Sequence, residues 1–291
     1  MVEDRTWKGK IFSFVNFTLL SLIALVTVLP FIHVIAGSFT TSAEMAMKKF
    51  ILIPTVWSFD AYKFIFSTNT IFKAMGVSVG VTVFGTAFSM LTTALMAYGL
   101  SRRDLDGRKQ IMFLVVFTML FNGGLIPSFL VVKSLGMIDS FTALIIPSAI
   151  SAFNLIILKN FFQNIPEGLE ESAKIDGAND FGILFRIVLP LSMPAIATIS
   201  LFYAVTYWNT YLSAILYLES SAKWPIQVLL RQIVVLASGM DYSSELDSSV
   251  PPPDQAVKMA VIVVATLPIL VVYPFLQKHF AKGALIGSIK G

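Results

Sequence analysis

An all-α membrane protein with six transmembrane helices is what three observations on this sequence predict. Of 291 residues, 56% are hydrophobic and 13% are charged, a charged share about half that of an ordinary soluble domain. Six stretches, 11–36, 74–100, 111–132, 140–158, 187–218 and 259–277, contain no Asp, Glu, Lys or Arg; roughly 20 such residues carry a helix across ~30 Å of hydrocarbon. The charged residues collect in the intervening loops, with Lys and Arg unevenly shared among them. A single transmembrane domain over residues 1–291 follows.

The elements can be taken in order. The first stretch far exceeds the roughly 7–15-residue core of a secretory signal, so it is expected to remain as an uncleaved span. In the second, Gly76 and Gly80 form a small-residue pair at helical spacing, which lets another helix approach closely. The short loop that follows carries Arg102, Arg103, Arg108 and Lys109 and is assigned to the cytoplasm by the positive-inside rule. Six spans then put both termini in the cytoplasm with most of the 21 basic residues. Lys48, Lys49, Lys63 and Lys73 fall in a long outer loop, where the rule has less weight.

The third stretch contains Asn122 and the fifth Asn209, polar groups at membrane depth that are expected to face a bundle interior or cavity. The fifth run begins with Pro190 and Pro194, so its span is placed at 195–218. Pro30, Pro127, Pro147 and Pro268 lie inside other stretches, where each removes a backbone donor and bends a helix. Bent helices suit a moving transporter, although membrane helices tolerate proline in general. His33 and His279 are too far apart for a local metal motif and are assigned to structure; no metal site is expected. The chain has no cysteine, hence no disulfide, thiolate ligand or cysteine nucleophile. Its net charge of +4 fits basic loops against membrane lipid rather than a nucleic-acid footprint.

The most informative stretch is 166–190, PEGLEESAKIDGANDFGILFRIVLP, on the cytoplasmic side between spans four and five. Pro166 and the acids Glu167, Glu170 and Glu171 favour a helix start, because proline suits the first turn and carboxylates oppose the dipole. Gly177 ends that helix. Asn179 or Asp180 caps a second, in which Phe181, Ile183, Leu184 and Ile187 form an apolar stripe. The expectation is a helix, turn and helix lying across the membrane surface.

These residues resemble the EAA loop of permease subunits of binding-protein-dependent ABC importers: Glu171-Ser172-Ala173, Gly177, then Ile187-Val188-Leu189-Pro190. Every spacing matches; Ser172 in place of the middle alanine is the one departure. The resemblance implies that this segment is the coupling helix that docks on a cytoplasmic ATPase. Glu171 would meet polar groups of that subunit, Ala173 and Gly177 would allow close approach, and Leu189 and Pro190 would stiffen the joint to span five. No Gly-x4-Gly-Lys-Ser/Thr phosphate loop occurs in the chain. The chain is therefore expected to be non-catalytic and to bind no cofactor, ATP and Mg belonging to a partner ATPase dimer. A second homologous permease, forming a heterodimer, and an extracytoplasmic solute-binding protein complete the implied assembly in the bacterial inner membrane.

Further stretches resemble the carbohydrate-uptake branch that includes the smaller maltose-type permease. They are Gly123-Gly124-Leu125-Ile126-Pro127, Leu135-Gly136-Met137-Ile138-Asp139, Trp208-Asn209-Thr210-Tyr211, and the tail from Leu267 to Gly291. Span five carries Tyr203, Tyr207, Trp208, Asn209 and Tyr211 within nine residues; aromatic faces cover pyranose C–H faces while amides and phenols satisfy hydroxyls. Such residues equally serve packing or an interfacial belt. Outward-facing lysines would favour acidic, uronate-containing oligosaccharides. The outer loop 219–256, with Pro251, Pro252 and Pro253 and the acids Asp241, Glu245, Asp247 and Asp254, is expected to face the binding protein. An importer of peptides, amino acids or phosphate is the nearest alternative. An ion-coupled transporter is disfavoured because the six runs hold no acid and no internal repeat is evident; a membrane enzyme would need a titratable cluster at depth, where only His33 qualifies.

Overall fold

The computed structural model describes residues 6–67, 69–236 and 254–288. Asp241, Glu245, Asp247 and prolines 251, 252 and 253 lie outside them, as do the His279 side chain and the final three residues. Among the described residues the regular elements are helices, with one isolated bridge between Thr40 and Trp57. The chain forms two compact units, residues 1–71 with 230–266, and residues 72–229 with 267–291.

The first unit opens with α1, Trp7–Ser38, capped by Thr6, whose Oγ1 accepts the Gly9 N–H at 3.2 Å. Only Ala36, Gly37 and Ser38 of α1 are buried, and its last turns carry its anchors. Ser38 Oγ lies 2.8 Å from Tyr62 Oη, His33 Nδ1 accepts the Ile51 N–H at 3.0 Å, and the His33 ring stacks on Phe50. A Cβ added to Gly37 would meet Met45 Cε at 2.9 Å and Met259 Cγ at 3.2 Å, so glycine is what admits this approach. Two short helices follow, α2 (Ser42–Met47) and α3 (Asp60–Ser67). Between them the buried Glu44 carboxylate gathers the loop: it accepts from Lys48 Nζ and Thr55 Oγ1 at 2.7 Å each, Thr40 Oγ1 at 2.8 Å and the Thr55 and Val56 N–H groups. The Lys48 ammonium and the Thr55 donors together hold its pKa far below the carboxylate range.

The second unit is organised by α4, Asn69–Ser101. Its buried residues Ala74, Ser78, Val81, Gly85, Ser89, Thr93 and Ala97 recur every three or four positions, a seam of small and hydroxyl side chains of the kind that lets membrane helices pack closely. The seam runs off Gly76 and Gly80: a Cβ at either would touch nothing within 4 Å. The close approach lies at Gly85, where a Cβ would sit 2.9 Å from the Tyr207 ring.

The first, second and sixth apolar stretches lie in continuous helices, whereas the third, fourth and fifth, expected as single helices, are each interrupted. The third stretch splits into α5 (Arg108–Leu120) and α6 (Leu125–Ser134). Phe121 is extended and Gly124 adopts φ +91°, a conformation open mainly to glycine; Asn122 Oδ1 accepts the Gly124 N–H at 2.9 Å and fixes the break. The fourth consists of α7 (Thr142–Ile145) with a 3₁₀ turn over Ile146–Ser148, then α8 (Ala152–Gln163), at 52° to the first piece; Pro147 accounts for the tightened turn.

After α8 come α9 (Glu167–Ile175), α10 (Asp180–Ile183), a π turn over Leu184–Val188 and α11 (Leu189–Leu191). The fifth stretch holds α12 (Met193–Trp208), broken at Asn209–Tyr211 before α13 (Leu212–Tyr217). The remaining helices are α14 (Ile226–Leu236) and α15 (Gln255–Ser288). Asp139, at φ +57°, ties the α6–α7 connection to the segment after α13: its carboxylate pairs with Lys223 Nζ at 2.6 Å and accepts the Ser220 N–H at 3.0 Å and the Glu219 N–H at 3.2 Å. Those contacts, the Lys223 bond foremost, lower its pKa.

Candidate functional site

The segment 166–190 is built by local rules. Pro166 precedes α9, whose first turn holds Glu167 and Glu170 and whose last holds Lys174, each sign opposing the adjacent dipole end. Gly177, at φ +82°, terminates the helix: its N–H donates to Lys174 O at 3.0 Å and the Ala178 N–H to Ala173 O at 2.9 Å, the paired bonds of a Schellman stop. Of the two candidate caps it is Asn179 that acts, Oδ1 accepting the Gly182 N–H at 2.8 Å.

Beyond this cap the expected stripe changes register. Ile183, Leu184 and Val188 are buried, Ile187 is half-buried, and Phe181 is 65% exposed. The π turn accounts for Val188 taking the place of Ile187: its wider coil puts Ile183 and Val188, five apart, on one face. Pro190, lacking an N–H and crowding the preceding turn, is the residue that such a local adjustment accommodates. The chain then turns through 87° into α12, with Pro190 and Pro194 on either side of the bend and the buried Ser192 at it.

The other segment residues divide by exposure. Glu171 is exposed and, among the described residues, has no ion-pair partner. Ser172 turns its hydroxyl to Gly168 O at 2.7 Å, so the departure from alanine leaves no unpaired group. Ala173 is buried, Leu189 half-buried and Pro190 exposed. Leu169 and Ile175 add exposed apolar surface that the sequence pattern did not single out, beside the exposed Phe181 of the expected stripe. A cleft of about 310 Å³ beside α9 is lined by Arg102, Arg103, Gln163, Glu167, Glu170 and Lys174 among others.

In span five, Ala195, Ile199, Tyr203 and Tyr207 recur every four residues and are all buried. Tyr207 Oη lies 2.8 Å from Ser89 Oγ and donates to Ile145 O at 3.3 Å. Tyr203 Oη lies 2.7 Å from Thr93 Oγ1 and accepts the Ser151 N–H at 3.0 Å. Both phenols therefore satisfy backbone groups freed by the break in span four, which lipid could not do. Trp208 is buried too. Asn209 is exposed, with Nδ2 donating to Val205 O at 2.8 Å, Tyr211 is half-buried and Asn122 is exposed.

A second cleft, of about 400 Å³, opens where the two broken spans meet. Ser148, Ser151, Asn154, Tyr203 and Thr206 line it together with Phe153 and Phe202. Asn154 is only 5% exposed, and its carboxamide has no partner among the described residues. These residues went unnoticed in the sequence; an asparagine and two serines inside an uncharged 19-residue stretch were the available signal.

The profile of a family described as binding-protein-dependent transport system inner membrane component matches residues 5–285. The chain belongs to that family. As a member, it is an inner-membrane permease component of such a transport system. The permease is 70% identical, over 98% of its length and 100% of the relative's, to the polygalacturonan/rhamnogalacturonan transport system permease protein YtcP of Bacillus subtilis (strain 168). It is 53% identical to protein LplC of the same organism, over 99% and 97% of the two chains. Its fold matches a chain of a bacterial ABC transporter involved in the import of the acidic polysaccharide alginate, with a TM-score of 0.86, 32% identity, and coverage of 94% and 98%.

Proposed function

We propose that this permease is one half of the membrane channel of an ATP-driven importer for acidic, uronate-containing oligosaccharides. The observation that carries the ATP-driven part is segment 166–190, a helix opened by Pro166, a Schellman stop and a second helix capped by Asn179 that meets α12 through an 87° bend, with Glu171 exposed and, among the described residues, in no ion pair. A rigid unit with an unpartnered acid and exposed Ile175 and Phe181 is suited to dock in a groove of a separate ATPase and to turn α12 when that ATPase closes. Ala173, Gly177, Ile187, Leu189 and Pro190 hold the lever in shape, and ATP and Mg stay on the partner.

The six-span topology keeps both termini in the cytoplasm and comprises one domain. Three continuous helices, the bent pairs around Ser148 and Ser192, and the α5–α6 pair support it. The cargo path runs past Asn209, Tyr211, Trp208 and Asn122 and down to the Asn154 cleft, whose hydroxyls, free carboxamide and phenylalanine rings suit a sugar. Tyr203 and Tyr207 hold its wall. A homologous permease forms the other half, and a solute-binding protein delivers cargo at the outer face. The acidic character of the cargo is supported by the relatives rather than by the outer lysines: Lys48, Lys63 and Lys223 are already paired with Glu44, Asp60 and Asp139.

The test is ATP hydrolysis by the reconstituted importer with its binding protein, comparing oligogalacturonates with neutral maltooligosaccharides. Stimulation by the former and its loss in Glu171→Ala are expected; stimulation by neutral sugars or peptides alone would remove the cargo assignment and leave the importer.

A further inference from the structure

We infer that the Arg102–Glu170 ion pair is a second, non-covalent link by which the 166–190 lever drives the membrane helices, clamping it to the cytoplasmic end of α4. The inference rests on the lever reading above and adds a route that bypasses the chain's own path through Pro190.

The geometry is a row of contacts. Glu170, on the face of α9 opposite solvent, pairs with the Arg102 guanidinium, and both side chains are largely shielded. The same guanidinium lies over the Tyr98 ring, 4.2 Å from its centroid, and donates to the Tyr98 hydroxyl. Tyr98 is buried in the last turn of α4. Two further contacts hold the same joint: Arg103 Nε to Glu167 Oε1 at 3.2 Å, and Gln163 Nε2 to Ser101 O at 3.3 Å. From Tyr98 the α4 seam continues to Thr93 and Ser89, which hold Tyr203 and Tyr207 of α12.

Chemistry favours the pair as a strut rather than a surface ornament. Arginine presents a planar donor fork that meets a carboxylate and stacks on an aromatic ring at once. Partial burial protects it from the screening that makes exposed ion pairs weak; Arg103–Glu167, with both side chains mostly exposed, is the auxiliary contact. The acids of α9 therefore have separate tasks. Glu171 is left free for another subunit, while Glu170 is held within this one. Pushing on α9 then moves α4 and α12 together rather than flexing the loop between α8 and α12.

The absence of cysteine makes the test direct. Spin labels at Leu105→Cys and Gly168→Cys, in the full complex with cysteine-free partners, report the distance between the α4–α5 loop and α9 with and without ATP and vanadate. The native pair is expected to keep one distance distribution in both states. Glu170→Gln, which keeps the shape and removes the charge, is expected to shift and broaden it on nucleotide binding, and the exchange Arg102→Glu/Glu170→Arg to restore it. Cargo moved per ATP is expected to fall by roughly two- to thirty-fold in the single variants and to recover in the exchange. A distance that changes in the native pair, or one that stays fixed in Glu170→Gln with cargo per ATP unaltered, would overturn the strut. Arg102→Lys covers the case in which the exchange does not assemble: it keeps charge but loses the fork, and native behaviour in both readouts overturns the proposal. Cross-linking from Glu171→Cys to the ATPase is scored separately; its failure removes the lever reading, whereas the label distance judges the strut.

Discussion

Helices α1 and α4 are nearly equal in length, 32 and 33 residues, and both are uncharged over a bilayer's thickness. Composition treats them alike, but their surroundings do not. Only the last three residues of α1 are buried, while α4 buries a seam from Ala74 to Ala97 and holds two tyrosines of α12 by hydroxyl bonds. The difference lies in side-chain size at helical spacing. Where apolar bulk such as Phe14, Leu22 and Leu25 surrounds a helix, lipid serves as well as protein. Where Ser, Gly and Thr recur on one face, a second backbone can come close enough for hydrogen bonds to form.

The largest expected contrast comes from one added methyl group. Gly85→Ala forces a Cβ against the Tyr207 ring and should lower the stability of the purified importer by about 1–3 kcal/mol, read as a thermal-unfolding midpoint. Leu22→Ala in α1 should move the same midpoint by less than about 0.5 kcal/mol, as for any side chain without buried contacts. Equal losses would mean that α1 is covered by a partner subunit rather than lipid.

A smaller effect is expected from Tyr203→Phe, which keeps the ring and strands the Ser151 N–H and the Thr93 hydroxyl. The cost should be about 0.6–2 kcal/mol, accompanied by faster amide exchange at residues 149–152. Unchanged exchange there would show that the break in span four does not depend on the phenol.

The smallest and most local effect concerns the anchor of α1. Glu44 has a pKa depressed from 4.5, so its contribution is complete above pH 4.5 and is lost as pH falls below that value. Amide protection at Thr55 and Val56, compared between native protein and Glu44→Gln at each pH, should differ near neutrality and converge in acid. A difference that persists unchanged in acid would mean that the hydrogen bonds accepted by the ionised carboxylate are not what orders this loop.

The same physics explains how much was legible beforehand. Absence of charge located all six apolar stretches, and the helix–stop–helix of 166–190 followed from a dipole-matched first turn, a glycine and an asparagine cap. Those are local effects, settled within a few residues. The interruptions in the third and fourth stretches were less legible, because Gly124 and Pro147 break a helix only if something satisfies the backbone they free. Here Asn122, Tyr203 and Tyr207 supply that, two of them from a distant part of the chain. Val188 rather than Ile187 became the buried end of the stripe because helical periodicity assumes 3.6 residues per turn, and the π turn before Pro190 does not keep it.

By itself, then, the sequence determined an all-helical membrane chain, its family and the local shape of segment 166–190, since hydrophobic length, caps and turn residues act over one or two helical turns. Only the tertiary structure decided that the tyrosines of α12 brace a broken helix, that Gly85 rather than Gly76 or Gly80 marks the close contact, that Asn154 lines a cleft, and that Glu170, unlike its chain neighbour Glu171, pairs with Arg102. Each depends on which side chain stands opposite in space, and no periodicity along one strand of sequence carries that information.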